Sequence, residues 1–483
     1  MLYSLNLRGD TIKNQLLSKK LTENVITLDD ILGVGVSFDV SHREFFIKYR
    51  KIQCYFVTGL CDAVLSTEIF KMLVNINNFD IQKKDILDTI ENRLVHFQVE
   101  KVTNVEDFVK NIVSGLLGIL IDGTDYGYII DVRSYPTRGP SEPDTEKVVR
   151  GSRDGFTENI IMNTALLRRR AKDHNLRNEI YAVGDKAKVD VCLSYVEGIA
   201  EKELVDDVRK RIKNIRIDEL AMTDKALEEL IVKQKFNPYP LVRYSERPDT
   251  IATHLYQGLV AIIVDTSPSV ILGPTTYFDH VHHAEEYRQA PIIGTFLRIL
   301  RMIGVISSMI LVPLWFLFVL EPDLLPEFLS FIGPKEEGNV PIIWQLLIAE
   351  GGMEFLRMAA IHTPTPLSTA MGLVAGVLVG QIAVDVGLFS PEVVLYVAAS
   401  AISSYATPSY ELSLANKFSK LILIVVTYFF KLNGFLIAIG IWFVYIASLR
   451  SFNKPYFYPL FPLNIPDLIK TIIRFPWKNK KGA

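Results

Sequence analysis

The stretch CYFVTGLCDAVLSTEIFKML, Cys54 to Leu73, opens as an apolar strand, turns at Gly59 and continues as an amphipathic helix. The same pattern returns in VCLSYVEGIAEKELVDDVRKRI, Val191 to Ile212, with Gly198 in the place of Gly59. A second pair repeats the spacing. GLLGILIDG (Gly115–Gly123) matches GLVAIIVDT (Gly258–Thr266), with Asp122 opposite Asp265. Each is a strand followed by a tight turn and a second strand, YGYIIDV in one copy and SVILG in the other. Both offsets are about 140 residues, so the first part of the chain reads as two related α/β subdomains. Residues 1–135 form the first and 156–275 the second. The linker, 136–155, lies within SYPTRGPSEPDTEKVVRGSRDG (Ser134–Gly155), where proline, glycine and charge replace apolar periodicity.

A chain of 483 residues exceeds what one hydrophobic core organises, and its composition is uneven. The first 290 residues are charged throughout, whereas uncharged apolar runs dominate from Met302 to Leu449. The expected fold class is therefore α+β: a duplicated cytoplasmic N-terminal domain followed by an α-helical multi-pass membrane domain. A net charge of −2 is too near zero to suggest nucleic acid or any strongly charged partner, and none is expected. Three cysteines, Cys54, Cys61 and Cys192, fit neither a zinc spacing nor a disulfide framework and read as buried thiols of a reducing compartment. The N-terminus lacks the continuous apolar core of a secretory signal.

No catalytic constellation stands out, so the chain reads as a non-enzyme without a cofactor. GVG at Gly33–Gly35 lacks the third glycine of a dinucleotide loop, and there is no phosphate-binding GxxxxGK[ST] motif. Asp122 and Asp265 are candidate cleft acids, but at a hairpin the ordinary role of an aspartate is to cap its own turn. Arg168–Arg170 read as a solvated helix face or a subunit contact. In DHVHHAEEY (Asp279–Tyr287) a helix would bring His282, His283 and Glu286 within one turn, a ligand pair in form, but no second cluster supports a metal.

The membrane domain, 276–449, holds four or five spans plus one buried amphipathic helix. Met302–Leu320 is an uncharged run preceded by Arg288, Arg298 and Arg301, which places the N-terminal domain in the cytoplasm. Ile342–Ile361 carries Glu350, Glu354 and Arg357 on one face, as a helix buried in a bundle would. Glu392–Ala406 is rich in small residues, and Leu421–Phe430 and Gly434–Leu449 form a helical hairpin about KLN. The tail, 450–483, has seven basic residues against Asp467 alone and is a basic cytoplasmic segment.

Within TPTPLSTAMGLVAGVLVGQIAVDVGLFSPE (Thr363–Glu392), the run from Leu367 to Val384 has no charge and, as a helix, is about 27 Å long. Gly372, Gly376 and Gly380 recur every four residues and make a smooth packing stripe. Gln381 and Asp385 are also four apart and share a face near one end. A charge in hydrocarbon costs about 2.5–3.5 kcal/mol, so it faces a bundle interior or water. Three readings compete: a structural polar contact, a cation path lined by amides and carboxylates, and a transporter's substrate site. The membrane half shows no internal repeat, which disfavours the transporter.

The segments EPDTEKVVRGSRDGFTENIIMNTALLRRR, SERPD, VDTSPSVILGPTTYFDHVHHAEEYRQ, HTPTPLSTAMGLVAGVLVGQIAVDVGLFSPE and TPSYELSLANKF resemble the A-subunit family of bacterial spore germinant receptors over nearly the whole chain. FDHVHHAEEYRQ and TPSYELSLANKF resemble a branch of that family distinct from the nutrient receptors. The resemblance implies a spore inner-membrane location, with the N-terminal domain and tail on the cytoplasmic (spore core) side. It also implies a homo-oligomeric ring, proposed to be pentameric, assembled with other membrane subunits and lipids around a path for monovalent cations. Gln381, Asp385, Gly380, Gly376 and Gly372 are the candidate pore-lining residues. The alternative role is a non-conducting scaffold or regulatory subunit coupling germinant receptors to other membrane proteins.

Overall fold

The structure is a computed structural model describing residues 15–82, 85–94, 96, 98–134, 152–232, 234–333, 339–362 and 380–476. The chain divides into two compact units, 1–235 with 244–274 and 236–243 with 275–483.

The first unit contains two five-stranded sheets. Strands β1 (Val40–Ile47), β2 (Arg50–Val57), β3 (Val99–Val102), β4 (Leu117–Ile121) and β5 (Gly127–Ile130) lie in the order β1-β2-β4-β5-β3. Strands β6 (Leu176–Val183), β7 (Val189–Val196), β8 (Arg243–Ser245), β9 (Val260–Val264) and β10 (Val270–Gly273) lie in the order β6-β7-β9-β10-β8, position for position the same. Helices α1 (Leu21–Leu32), α2 (Ala63–Asn75), α3 (Ile86–Arg93) and α4 (Val105–Val113) accompany the first sheet. Helices α5 (Ile160–Ala171), α6 (Lys202–Lys213), α7 (Thr223–Val232) and α8 (Pro248–Leu255) occupy the same places in the chain order of the second.

Strand alternation splits the first core in two. On β2, Ile52 and Cys54 join Ile69, Leu73, Ile86 and Ile90 from α2 and α3. Tyr55 and Val57 point the other way and pack with Leu28 of α1 and Phe108 and Ile112 of α4. Helix α4 is specified locally: the Asn104 side chain accepts from Asp107 N at 2.6 Å, and Val105, Phe108, Val109 and Ile112 recur with helical spacing.

The start of each subdomain shows the repetition in atomic detail. Asn24 accepts from Ser18 N at 2.8 Å and donates to Ser18 O at 2.7 Å; Asn163 makes the same pair of bonds with Thr157, at 2.7 and 2.6 Å. Asp122 accepts from Leu21 N at 3.2 Å, and Asp265 from Ile160 N at 3.0 Å. The two aspartates thus cap the first helix of their own subdomain, not their own turn as the hairpin chemistry suggests. Helix starts leave backbone N–H groups without intrahelical partners, and a carboxylate fixed by the adjacent sheet satisfies one of them. The turn glycines correspond too, Gly59 at φ +83° and Gly198 at φ +84°.

The second unit holds α9 (Ala284–Arg288), α10 (Pro291–Leu320), α11 (Ile342–His362), α12 (Pro391–Tyr405), α13 (Tyr410–Ser448) and α14 (Ile465–Ile472). Among the described residues two helices, α10 and α13, are long and apolar enough to cross a membrane. Helix α13 breaks at Lys431, whose φ of 49° and ψ of −135° leave the helical region. Its two arms lie beside one another, since Phe418 and Ile422 of one and Ile441 and Tyr445 of the other line a single apolar cavity. Helix α12 has 15 residues and is about 22 Å long. Residues 363–379 lie outside the described residues, and with them most of the glycine-rich stretch.

Candidate functional site

Helix α11 brings Glu350, Glu354 and Arg357 to one face through four- and three-residue spacing, and the partners of all three come from α13 or α11 itself. Glu350 is 2% exposed and pairs with the equally buried Lys420 at 2.6 Å. Lys420 Nζ also donates to Ser400 Oγ of α12 at 3.0 Å, and Ser400 donates to Ser308 O of α10 at 3.0 Å. Lys417 reaches Glu354 at 2.7 Å and Glu350 at 3.9 Å. Arg357 completes the set, 2.6 Å from Glu354 and over the Tyr410 ring. Four helices therefore meet at a cluster of two carboxylates and three cations.

Burial decides what this cluster can do. Desolvating each ion costs several kcal/mol, which only close partners offset, so losing one partner strands the other at a cost of about 3–5 kcal/mol. The neutralised carboxylates are fixed, and a polar crevice beside them is lined by Ser308, Ser404, Tyr405 and Ser413. Lys417 and Lys420 escape a sequence reading because the apolar run is taken to start after them, at Leu421. The signal that would have found them is their three-residue spacing on the helix that leads into that run.

Gly380, Gln381 and Asp385 are not among the side chains bonded to this cluster. Residues 380–385 are helical, with Gly380 half-buried and Gln381 and Asp385 exposed, one turn apart. A Cβ at Gly380 would meet nothing within 4 Å, so in the single chain its smooth surface has no neighbour among the described residues. Gly372 and Gly376 lie outside the described residues.

The histidine segment is arranged differently from a ligand pair. His282 and His283 precede α9, and His283 caps it by accepting from Glu285 N at 3.2 Å. Glu286, fully buried, binds Arg298 at 2.9 Å and also Arg301. Burial, aided by Arg298, pushes the His282 imidazole down to about 4, and burial pushes His280 down to about 3. Among the described residues no group of three His, Cys, Asp or Glu side chains is placed to hold a metal ion. The expected arginine face of α5 is also revised: Arg168 is fully buried in an ion pair with Asp39 at 2.9 Å.

A family model described as the Bacillus/Clostridium GerA spore germination protein matches residues 27–482. The chain belongs to the GerA family. Its relatives in that family include stage V sporulation protein AF of Bacillus subtilis, to which it is 52% identical over 92% of this chain and 90% of that protein. Spore germination protein A1 of B. subtilis is 32% identical over 82% of each chain. The crystal structure of the N-terminal domain of the A subunit of the Bacillus megaterium spore germinant receptor GerK3 is similar over 55% of this chain and 98% of that one, at 27% identity and a TM-score of 0.43. The kinship with spore germination proteins thus runs along nearly the whole length of this chain.

Proposed function

We propose that this chain is a multi-pass subunit of a homo-oligomeric complex in the spore inner membrane that conducts monovalent cations during germination. The observation that carries the reading is the exposure of Gln381 and Asp385 on one helical face of an otherwise apolar region. In lipid that face would cost about 2.5–3.5 kcal/mol for the carboxylate alone, so water or a neighbouring subunit is its physical counterpart. Repeated around a ring, Asp385 concentrates cations at one mouth of a path, and the glycine stripe allows the helices that line it to approach closely. The charged cluster on α11 and α13 supports a bundle role for those helices, because its ions are paired with one another. The Lys431 break gives α13 two arms of about twenty residues, each a span in length. Kinship with germination proteins supports the spore setting, with the α/β unit and the tail on the core side.

The test is cation flux through the purified complex in liposomes. Asp385→Asn keeps shape and removes charge, so flux should fall several-fold while the amount of protein in the membrane stays normal. Parent-like flux from the variant, or a parent complex that stays sealed, overturns conduction through Asp385. The sealed result favours the scaffold role.

A further inference from the structure

Helix α14 turns Asp467 and Thr471 toward the protein together with the half-buried Leu468 and Ile472, and leaves Ile465 and Ile469 exposed beside Lys470. Ile465, Ile469 and Ile473 recur every four residues and are 60%, 43% and 41% exposed, and Leu463 and Phe475, beyond the two ends of the helix, are 62% and 53% exposed. On the other side, Asn464 caps the helix by accepting from Asp467 N at 3.3 Å, and Tyr458 OH holds Asp467. A short helix that spends its hydrogen bonds on the protein and leaves five large apolar side chains uncovered is unusual for water.

The helix is also locked in place. The Arg298 guanidinium donates to Lys470 O at 3.1 Å and Thr471 O at 3.0 Å, a cation closing a helix C-terminus, while Glu286 holds Arg298 from behind. His282 Nε2 lies 3.1 Å from Thr471 O. Arg474 N donates to Thr295 Oγ1 at 3.1 Å and its guanidinium to Tyr287 O at 2.8 Å. Gly294 makes the approach possible, since a Cβ there would lie 2.4 Å from Glu286 O and 2.9 Å from Arg474 Cδ. These bonds fix α14 at the level of Thr295 and Arg298, the first turns of α10. There α10 itself exposes Ile292 and Phe296.

We infer that α14 is an interfacial anchor: it lies in the headgroup layer of the membrane at the end where α10 begins, with Ile465, Ile469 and Ile473 against the acyl chains. The occupant of the apolar face is lipid. Continuity with α10, the long apolar helix to which α14 is bonded, sets its depth. The basic excess of residues 450–483 suits anionic headgroups. The buried Glu286–Arg298 pair then has a purpose that no metal or ligand supplies, holding a surface helix against the start of a span. The inference rests on α10 being a span, and its test separates the two ideas.

The experiment uses the full chain in phosphatidylcholine–phosphatidylglycerol vesicles, with single cysteines at Ile469, Lys470 and Ile303 carrying an environment-sensitive fluorophore and the labelled parent as blank. The expected result for Ile469→Cys is blue-shifted emission, loss of most signal to lipids with a nitroxide near the headgroup, and little loss to aqueous iodide. Lys470→Cys should lose signal to iodide. Quenching of Ile303→Cys by lipid with none at Ile469 overturns the anchor and leaves the span standing. No lipid quenching at either site overturns both. Protection of Ile469 from lipid and iodide alike means that a protein covers the face, and this too overturns the inference.

Discussion

Asp29 in the first subdomain and Arg168 in the second sit in the same turn of corresponding helices, α1 and α5. In the first, the paired strand residues His42 and Tyr55 both turn to Asp29, at 3.1 and 2.9 Å, and the group is self-contained and half-exposed. In the second, the corresponding pair is Asn178 and Ser194, and among the described residues the carboxylate bonded to Asn178 is Asp39. Ser194 donates to Asn178 at 2.8 Å, while Asn178 and Arg168 both donate to Asp39, which belongs to the first subdomain. One copy thus keeps its charge pair at home and partly wet. The other has exchanged acid for base and ties the two subdomains together through a pair that water does not reach.

The sharpest way to break this comparison is Asp39→Asn. Shape survives, but one of the two acceptor oxygens becomes a donor facing Arg168 or Asn178, and Arg168 is left buried without a carboxylate, which should cost about 3–5 kcal/mol. Cys54 and Cys192, each fully buried in a different subdomain, report the loss directly. In urea titrations of the detergent-solubilised chain, both thiols should become reactive at clearly lower urea than in the parent. If only one does, or neither, the pair does not join the subdomains.

A smaller effect tests the part of the repeat that has not diverged. Asp122→Ala and Asp265→Ala each remove the carboxylate that accepts from the first N–H of a subdomain's first helix, and each should cost about 0.5–2 kcal/mol. The cost at Asp265 should be the smaller, because Asn159 still accepts from Ile161 N and Met162 N of α5 whereas α1 has no side-chain N-cap; the first is read at Cys54 and the second at Cys192. Equal costs would show that the Asn159 cap does not compensate for the lost carboxylate.

The repeat was legible in the sequence because it rests on local devices: turn glycines at Gly59 and Gly198, apolar strands, and aspartates at matched hairpins. The interface was not, because the partner of Arg168 lies 129 residues away and no local pattern distinguishes it from a solvated arginine. The same limit applies among the helices. Glu350, Glu354 and Arg357 stand out as charges in an apolar run, while Lys417 and Lys420 sit just outside one and acquire meaning only when α13 packs against α11. The exposed face of α14 was hidden differently, since its lysine and arginine make the tail read as solvated. Only the bonds from Arg298 and Arg474 reveal that its polar side is already engaged.

The smallest expected effect is that of Asp29→Asn, and it completes the comparison. The Tyr55 hydroxyl keeps an oxygen to donate to, so the change removes only the charge facing His42. That pair is about one-third exposed on both sides, with side-chain exposures of 35% and 30%, so solvent screens it. The cost at neutral pH should be below about 1 kcal/mol, read as a small shift in the urea dependence of Cys54 labelling with Cys192 unmoved. The same substitution chemistry at Asp39, ten positions along the chain, is expected to cost several times more. If the two variants prove equal, burial is not what separates the subdomains, and the exchange of acid for base between Asp29 and Arg168 carries no structural consequence.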